Sequence, residues 1–171
     1  MSDSSPVVVR RSKIQGRGVY AARDFAEGER IIEYTGRLIT GAEADELCDD
    51  EDMRRHHTFL FAVDDDHVID ASETGSDARY INHSCDPNCE SVVVRKRIYI
   101  HALRGIVAGE ELVYDYWYVT DGDYTLEDLQ RVYPCRCQSP QCRGTLARPP
   151  PPPRVARKKR KTATRGSKGA A

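Results

Sequence analysis

Short apolar runs separated by turn signals constrain the fold of this 171-residue chain more than any other feature. The runs are rich in β-branched and aromatic side chains, and turn-forming pairs such as Ala108-Gly109 divide them, a pattern typical of hairpins. They cover residues 6–9, 30–33, 58–63, 68–71, 92–94, 98–102 and 112–116. The sequence therefore predicts a mostly β domain, although the same pattern fits several small barrels.

Helical patterns are few. One covers residues 41–48, with Thr40 as the N-cap, and the other covers residues 126–133. Thr125 and Asp128 stand at the N-cap and third helical positions of the second helix, an arrangement that favours helix initiation. Helices are therefore expected to be minor elements of the fold.

Length and composition favour one small domain. The 39% of hydrophobic residues suffices for a single core in 171 residues. The chain has no apolar run of about 18 residues, and its first six residues lack the basic and apolar regions of a signal peptide. We expect a soluble, intracellular protein with no membrane partner.

Charge is distributed unevenly along the chain. Residues 148–171 contain nine basic residues and no acidic one, which leaves 17 basic against 27 acidic residues before them. An acidic body suits a basic partner because complementary fields speed the encounter. A solvated acidic surface that only keeps the domain soluble is the other interpretation.

The proline run at residues 149–153 marks a domain boundary. Consecutive prolines favour an extended polyproline II spacer, and the residues beyond it offer little apolar surface to bury. We predict that residues 148–171 form a disordered basic arm. This arm binds nucleic acid, serves as an import signal, or acts as a substrate or docking element for the acidic body.

Four motifs in fixed order resemble those of the SET-domain protein-lysine methyltransferases. The main pair is R-Y-I-N-H-S-C at residues 79–85 and G-E-E-L-V-Y-D-Y at residues 109–116. I-Q-G-R-G-V-Y at residues 14–20 resembles the opening G-x-G of the family, and I-E-Y-T-G at residues 32–36 resembles its E-Y-x-G segment. The resemblance covers residues 7–147.

The resemblance implies a fold and an activity. SET domains pack short curled sheets around a pseudoknot, which here would bring Asn82 and His83 against Tyr116. The family transfers a methyl group from S-adenosylmethionine to a lysine side chain, so the expected substrate is a basic, histone or histone-like protein. The expected domains are a flexible segment 1–6, a SET domain 7–120, a post-SET zinc segment 121–147 and the arm 148–171.

By the same resemblance, three tyrosines are catalytic candidates. Tyr116 would place its hydroxyl near the transferring methyl and orient the amine, Tyr34 would line the lysine channel, and Tyr114 would limit the product to mono- or dimethyl-lysine. Tyr114, Tyr116 and Tyr118 alternate along a predicted strand and would share one face. Tyrosines at alternate strand positions are also ordinary sheet residues, and Tyr118 has no clear family counterpart.

The cofactor candidates are carried over residue by residue. A lone G-x-G indicates only a turn, but with the other motifs it implies close backbone approach to the cofactor. His83 has the alternative of a buried histidine that is satisfied within the protein. The candidates are Gln15, Gly16, Arg17, Gly18, Phe59, Asn82, His83 and Leu146.

The cysteines predict a structural zinc. Cys135, Cys137 and Cys142 form a closely spaced C-x-C-x4-C trio, and Cys85 would complete an all-cysteine tetrahedral site. This spacing matches the post-SET pattern of the family, in which the cysteine of N-H-S-C is the fourth ligand. Disulfides are the other interpretation, and Cys89 is expected to fill a core position.

Two other functions compete with catalysis. The chain would be an inactive module that binds chromatin or basic peptides, or a protein whose main activity is nucleic-acid binding through the arm. The short acidic segment 49–52 lies where the family varies its substrate choice. Either the nucleus of a eukaryote or the cytoplasm and nucleoid of a bacterium suits these functions.

Overall fold

The computed structural model describes residues 5–47, 59–120 and 124–148. The acidic segment 49–52, Cys48, Thr58 and the arm from residue 149 onward lie outside the described residues. The predictions made for them therefore remain predictions. Within the described part, none of the helices has the length and apolar character needed to cross a membrane.

Ten short strands build three small sheets. The strands are β1 (Val7–Arg11), β2 (Arg17–Ala21), β3 (Arg30–Tyr34), β4 (Arg37–Thr40), β5 (Leu60–Ala62), β6 (His67–Asp70), β7 (Asn82–His83), β8 (Cys89–Val94), β9 (Arg97–Ala102) and β10 (Glu111–Tyr114). Their orders are β1-β2-β10-β7, β3-β9-β8 and β4-β6-β5. The mostly β architecture expected from the sequence is confirmed.

Helices occupy little of the described chain. They are α1 (Gly41–Leu47), a 3-10 helix (Asp77–Tyr80) and α2 (Leu126–Val132). The predicted capping box is present: Asp128 donates its backbone N–H to the Thr125 hydroxyl at 3.2 Å, and its carboxylate accepts from the Thr125 backbone. Thr40 and Glu43 make the same reciprocal contacts at α1.

Two predictions about strands need correction. The predicted strands did not include β2, because the glycine at position 18 inside this strand weakens the strand signal. Strand β10 ends at Tyr114 and not at Tyr116. The Asp115 side chain accepts the backbone N–H of Trp117 at 3.1 Å, and Trp117 has a φ of 47°, so the chain bends out of the sheet.

The core lies where the sheets meet. Val19, Ile98, Ile100 and Leu112 are fully buried, and these aliphatic side chains come from β2, β9 and β10. Burial of each side chain contributes about 1.5–3 kcal/mol relative to exposure. This core fixes the position of β10, whose C-terminal end leads into the site.

The short strand β7 positions the site. It pairs in parallel with β10, Val113 opposite Asn82 and Tyr114 opposite His83, so that two motifs far apart in sequence become neighbours. The buried Asn88 supports this pairing because its side chain accepts from the Val113 N–H at 2.9 Å and donates to the Glu111 carbonyl at 2.8 Å. The contact expected from a SET pseudoknot is therefore present.

Candidate active site

One cavity of about 570 Å³ lies at the end of β10. Its lining comes from the loop before β2, from β5, β7 and β10, and from the segment around Leu146. Ten of the predicted site residues line it: Gln15, Gly16, Arg17, Tyr34, Phe59, Asn82, His83, Tyr114, Tyr116 and Leu146. Gly18 does not.

Aromatic rings form a continuous wall on one side of the cavity. The rings of Tyr114 and Tyr116 lie 5.0 Å apart between centroids, and those of Tyr116 and Tyr118 lie 5.5 Å apart. Phe61 connects this group to Tyr34, with centroid distances of 5.9 Å to Tyr114 and 5.2 Å to Tyr34. The expected convergence of the tyrosines is confirmed, although the bend at Trp117 and not a regular strand produces it.

The hydroxyl groups of the wall are held in the neutral form. Tyr116 donates its hydroxyl proton to the Ile81 carbonyl at 2.8 Å, and Tyr34 donates to the Phe59 carbonyl at 2.9 Å. Burial, with a smaller contribution from neighbouring tyrosines, raises the pKa values of Tyr34, Tyr114 and Tyr116 above 10. A neutral phenol with its proton already donated presents its oxygen as an acceptor.

Tyr114 differs from the other two tyrosines. Its side chain is 7% exposed, yet its hydroxyl has no hydrogen-bond partner among the described residues. Because the residue lines the cavity, this hydroxyl is available to a water molecule or an amine there.

Asn82 shapes the loop before β2. Its side-chain nitrogen donates to the carbonyl of Gln15 at 3.3 Å, the carbonyl of Arg17 at 2.9 Å and the carboxylate of Glu111 at 3.1 Å. Gly16 between them has a φ of 48°, a conformation that favours glycine. Only the carboxamide oxygen of Asn82 is left to accept a hydrogen bond from a ligand.

Gly18 has a packing role in this structure. A Cβ atom at this position would collide with the Glu111 carboxylate and approach the Ser12 side chain. That carboxylate also accepts from the Tyr20 hydroxyl at 3.0 Å, so it is held in place. The structure therefore shows a close approach of the Glu111 side chain to Gly18, and the contact with the cofactor that the sequence predicts for Gly18 stays a prediction.

Two arginines border the loop side of the cavity. The guanidinium carbon of Arg17 lies 3.8 Å from the ring centroid of Tyr80, and that of Arg79 lies 4.8 Å from the same ring. Tyr80 also packs edge-on against Phe59, with centroids 5.8 Å apart. Sequence reasoning did not assign Tyr80 to the site.

Both ring nitrogens of His83 contact protein groups. Nδ1 accepts the backbone N–H of Tyr116 at 3.2 Å, which makes Nε2 the protonated nitrogen. Nε2 lies 3.4 Å from the Cys85 sulfur. Burial, opposed by Asp115 and assisted by Arg143, lowers the pKa of His83 to about 4. The imidazole is therefore neutral and links the tyrosine motif to the cysteine cluster.

The four predicted zinc ligands lie together. The sulfur atoms of Cys85, Cys135, Cys137 and Cys142 are all within 4.8 Å of one another, and those of Cys85 and Cys135 are 3.7 Å apart. A tetrahedral site with Zn–S distances of about 2.3 Å has sulfur atoms about 3.8 Å apart. The described cysteines form no disulfide, and four sulfur atoms that all lie close together favour a metal site over two disulfides. The donor set fits zinc.

Backbone donors prepare this cluster for thiolates. Burial alone would raise the pKa of Cys137, but the backbone N–H groups of Cys85 and Ser139 offset burial and bring it to about 7. Burial raises the pKa values of Cys85 and Cys135 instead. These opposite shifts mean that without a metal the four sulfur atoms would not all be thiolates at the same pH. A cation at the centre of the cluster would stabilise all four thiolates together.

A largely buried ion pair joins the cysteine segment to the tyrosine motif. Arg143 follows Cys142, one of the predicted zinc ligands, and its two η nitrogens donate to the Asp115 carboxylate at 2.6 and 2.7 Å. The two side chains are 16% and 13% exposed. Arg143 also donates to the carbonyls of Leu146 and Ala147 at 3.2 Å each. One guanidinium therefore fixes the segment that covers the cavity.

The covering segment pairs with the chain beyond Tyr116. Tyr118 donates its backbone N–H to the Leu146 carbonyl at 3.4 Å, and Arg148 donates to the Tyr118 carbonyl at 2.8 Å. Leu146 is 7% exposed and lines the cavity. Neither Arg143 nor Trp117 was predicted as a site residue. For Arg143, the position directly after a predicted zinc ligand was the one available signal.

Comparison with known proteins identifies similar sequences. Residues 16–117 match the family model described as SET domain. The chain is 45% identical over 144 residues to the histone-lysine N-methyltransferase trithorax of Drosophila virilis, a match that covers 82% of this chain and 4% of that protein.

Two further relatives carry related names. Histone-lysine N-methyltransferase 2B of Homo sapiens is 41% identical over 144 residues, covering 82% of this chain and 5% of that protein. The histone-lysine N-methyltransferase, H3 lysine-4 specific, of Saccharomyces cerevisiae is 42% identical over 147 residues, covering 82% of this chain and 13% of that protein. This chain therefore spans only a small part of the length of its curated relatives.

The cysteine cluster predicts one zinc ion per chain. Replacing Cys137 by Ser should release the metal because three thiolates and a hydroxyl bind it more weakly. Cys89→Ala is the matched control, since Cys89 is a buried thiol outside the cluster. Metal analysis of reduced, purified protein checks both variants; wild-type protein without zinc would show that the cluster is not a metal site.

The Arg143–Asp115 pair predicts a large loss of stability on mutation. Arg143→Ala leaves a largely buried carboxylate without its partner, which should lower the free energy of unfolding by about 3 kcal/mol. Arg131→Ala is the control: its pair with Asp128 is exposed, at 76% and 37%, and should matter by about 0.5 kcal/mol or less. Urea unfolding of zinc-loaded protein measures both; equal losses would refute the linking role.

Proposed function

The chain belongs to the SET-domain family, and we propose that it transfers a methyl group from S-adenosylmethionine to a lysine ε-amine of a histone or histone-like protein. The observation that carries this proposal is the single cavity in which the aromatic wall faces the Gln15–Arg17 loop. A donor held by the loop and an amine held between the rings would meet there. Ordinary core packing explains neither the aromatic wall nor the loop, because both border an open cavity.

The cavity favours a neutral lysine. Transfer requires the unprotonated amine, and deprotonation of a free lysine costs about 4.6 kcal/mol at pH 7. Among the described lining residues there is no carboxylate, whereas Arg17, Arg79 and Arg136 are cations. Burial between aromatic rings and like charges both lower the pKa of an entering lysine. The lysine therefore loses its proton to solvent and not to a protein base.

Tyr116 would then orient the amine. Its hydroxyl proton is committed to the Ile81 carbonyl, so its oxygen is the acceptor that an amine N–H meets. This contact directs the nitrogen lone pair towards the donor, and such positioning is a large part of the catalysis of a displacement. Tyr34 and Tyr114 would restrict the space around the amine.

The residues present fit the cofactor. S-adenosylmethionine supplies the methyl group and a positive sulfonium. Asn82 would accept from its amino group through the remaining carboxamide oxygen, and Arg17 would bind its carboxylate. Phe59 and Leu146 would cover its adenine. Because both nitrogens of His83 bond to protein atoms, we assign this residue to the support of Tyr116 and Cys85.

A structural zinc would hold the cover in place. Bound by the four cysteines, it would fix the segment that carries Arg143 and Leu146, since a structural metal supplies folding energy directly. The same segment limits the access of water to the aromatic wall.

The peptide substrate would add beside β5. Among the described strands, β5 pairs with β6 only and so leaves one edge open, and an extended peptide can add to such an edge. The names of the relatives point to histones, and lysine 4 of histone H3 is the first site to test. Such a substrate places the protein at chromatin, in the nucleus of a eukaryotic cell or at the nucleoid of a bacterial one.

One assay separates this proposal from its alternatives. The full chain is incubated with S-adenosylmethionine labelled on its methyl group and with histone H3, other basic proteins or duplex DNA. Label on a lysine of a basic protein supports methyl transfer. Binding of basic peptides without transfer would identify an inactive binding module, and retention of DNA without transfer would identify a nucleic-acid-binding protein.

The role of Tyr116 can be tested by removing one atom. Tyr116→Phe should reduce kcat by at least about tenfold because the amine loses its orienting acceptor, while cofactor affinity stays within a few-fold. Tyr118→Phe is the matched control from the same wall. Steady-state rates and calorimetry distinguish the two parameters. A Tyr116→Phe rate above half of the wild-type rate would exclude the orienting role.

Tyr114 should limit the product. A water molecule bound to its unpartnered hydroxyl occupies the space that a methylated amine needs, so the wild type should stop mainly at mono- or dimethyl-lysine. Tyr114→Phe should shift the product towards trimethyl-lysine. Mass spectrometry of a histone peptide after prolonged reaction reads the distribution; efficient trimethylation by the wild type would contradict this assignment.

A further inference from the structure

Tyr80 lies on the loop side of the cavity, and the proposed mechanism gives it no role. It is the last residue of the 3-10 helix, and its side chain lines the cavity. The ring is half-buried, and Phe59 packs edge-on against it with the two centroids 5.8 Å apart. The helix and Phe59 together hold this ring in place.

Two arginines contact the ring of Tyr80. The guanidinium carbon of Arg17 lies 3.8 Å from the ring centroid, and that of Arg79 lies 4.8 Å from it. Arg79 is fixed from a second side, because one of its η nitrogens donates to the carbonyls of Ala71 and Ser72 at 2.6 and 3.2 Å. Arg17 is exposed, so the stack on the ring is what orients its guanidinium.

A second ring has the same arrangement, with one difference. Tyr99 on β9 has the guanidinium carbons of Arg30 and Arg97 at 4.8 and 5.4 Å from its centroid. There the carboxylate of Glu33 forms a salt bridge with Arg97. At Tyr80, no described carboxylate forms a salt bridge with either arginine. The pair beside the cavity therefore lacks the anion that the pair in the sheet has.

The missing anion identifies the part of the ligand that fits here. Two guanidinium groups at one ring repel each other, and an anion beside them lowers the electrostatic energy. The planar fork of an arginine matches a carboxylate in particular. Of the charged groups of S-adenosylmethionine, the amino group and the sulfonium are positive, and only the carboxylate is negative.

We propose that Tyr80 is a positioning residue, which holds the Arg17 guanidinium where it binds the carboxylate of the cofactor. This inference rests on the proposed function, because it concerns the cofactor of that reaction. An exposed arginine loses rotamer freedom when it binds a ligand, and this loss weakens binding. Since Arg17 already lies on the ring before the cofactor enters, part of the loss occurs on folding.

The ring itself is not a stacking platform for the adenine. A guanidinium at 3.8 Å already occupies the stacking distance on the face that it covers, and Arg79 contacts the same ring. Phe59 takes the edge-on position. Tyr80 therefore acts on the cofactor through Arg17.

The test measures binding and requires no turnover. S-adenosylhomocysteine, the product that remains after methyl transfer, keeps the carboxylate, and its decarboxylated analogue lacks only this group. Calorimetry with the full, zinc-loaded chain measures both ligands. Tyr80→Leu should weaken binding of S-adenosylhomocysteine by about three- to tenfold, the range of one cation–π contact, and should change binding of the analogue by less than about twofold. Tyr80→Phe keeps the ring and should bind both ligands like the wild type.

A mutant cycle tests whether the effect passes through Arg17. Arg17→Gln should show the same selective loss, and Tyr80→Leu added to it should cause no further loss. In the assay with S-adenosylmethionine, Tyr80→Leu should raise KM for the cofactor and leave kcat within about twofold. Tyr80→Met fills more of the space of the ring and gives a second measurement if Tyr80→Leu does not fold.

Tyr99→Leu is the matched control. It also removes a ring that two arginines contact, but Tyr99 does not line the cavity. Its affinities for both ligands should equal those of the wild type. Equal unfolding midpoints and zinc contents show that the variants are folded.

Three results would overturn the proposal while leaving the proposed function intact. The first is an unchanged affinity of Tyr80→Leu for S-adenosylhomocysteine. The second is an equal loss for both ligands, which would show that Tyr80 supports the cavity as a whole. The third is a full effect of Tyr80→Leu in the Arg17→Gln protein, which would identify a direct contact of the ring with the cofactor. A wild-type chain that binds neither ligand would contradict the proposed function and this inference together.

Discussion

The carboxylate of Asp115 accepts hydrogen bonds from both η nitrogens of Arg143. It also accepts the backbone N–H of Trp117 at the bend, and it lies 3.6 Å from Nδ1 of His83. Asp115 stands between Tyr114 and Tyr116 in the chain, so contacts that fix this carboxylate also fix the positions of the two tyrosines. Through Arg143 it also holds the cysteine segment. Since charge-assisted, bidentate contacts of this kind are strong and directional, a single pair determines how the cover and the wall fit together.

The sequence was sufficient for those features that depend on spacing. The cysteine cluster, the capping box at Thr125 and the short strands follow from residue types at fixed intervals, which local chemistry determines. The order of the motifs also correctly predicted that Asn82 and His83 lie close to the tyrosines. Roles that depend on long-range partners were less predictable.

Particular residues show why the rest could not be predicted. The position of Gly18 next to Glu111, and the commitment of both His83 nitrogens, are set by side chains distant in sequence. The end of β10 depends on one Asp115 side-chain contact that competes with the strand, as short polar side chains often do. The sequence pattern predicted that Trp117 continues the strand, but its backbone N–H bonds to the Asp115 side chain and the chain bends there.

The side-chain amide of Asn82 makes the loop before β2 sensitive to chemical modification over time. Its side-chain nitrogen faces three oxygen acceptors, of Gln15, Arg17 and Glu111. Spontaneous deamidation would replace this donor with a carboxylate, and four oxygen groups would then repel one another where the loop is now held. Slow deamidation of this one side chain would open the loop while leaving the sheets intact, so the protein would lose its candidate ligand site before it loses its fold.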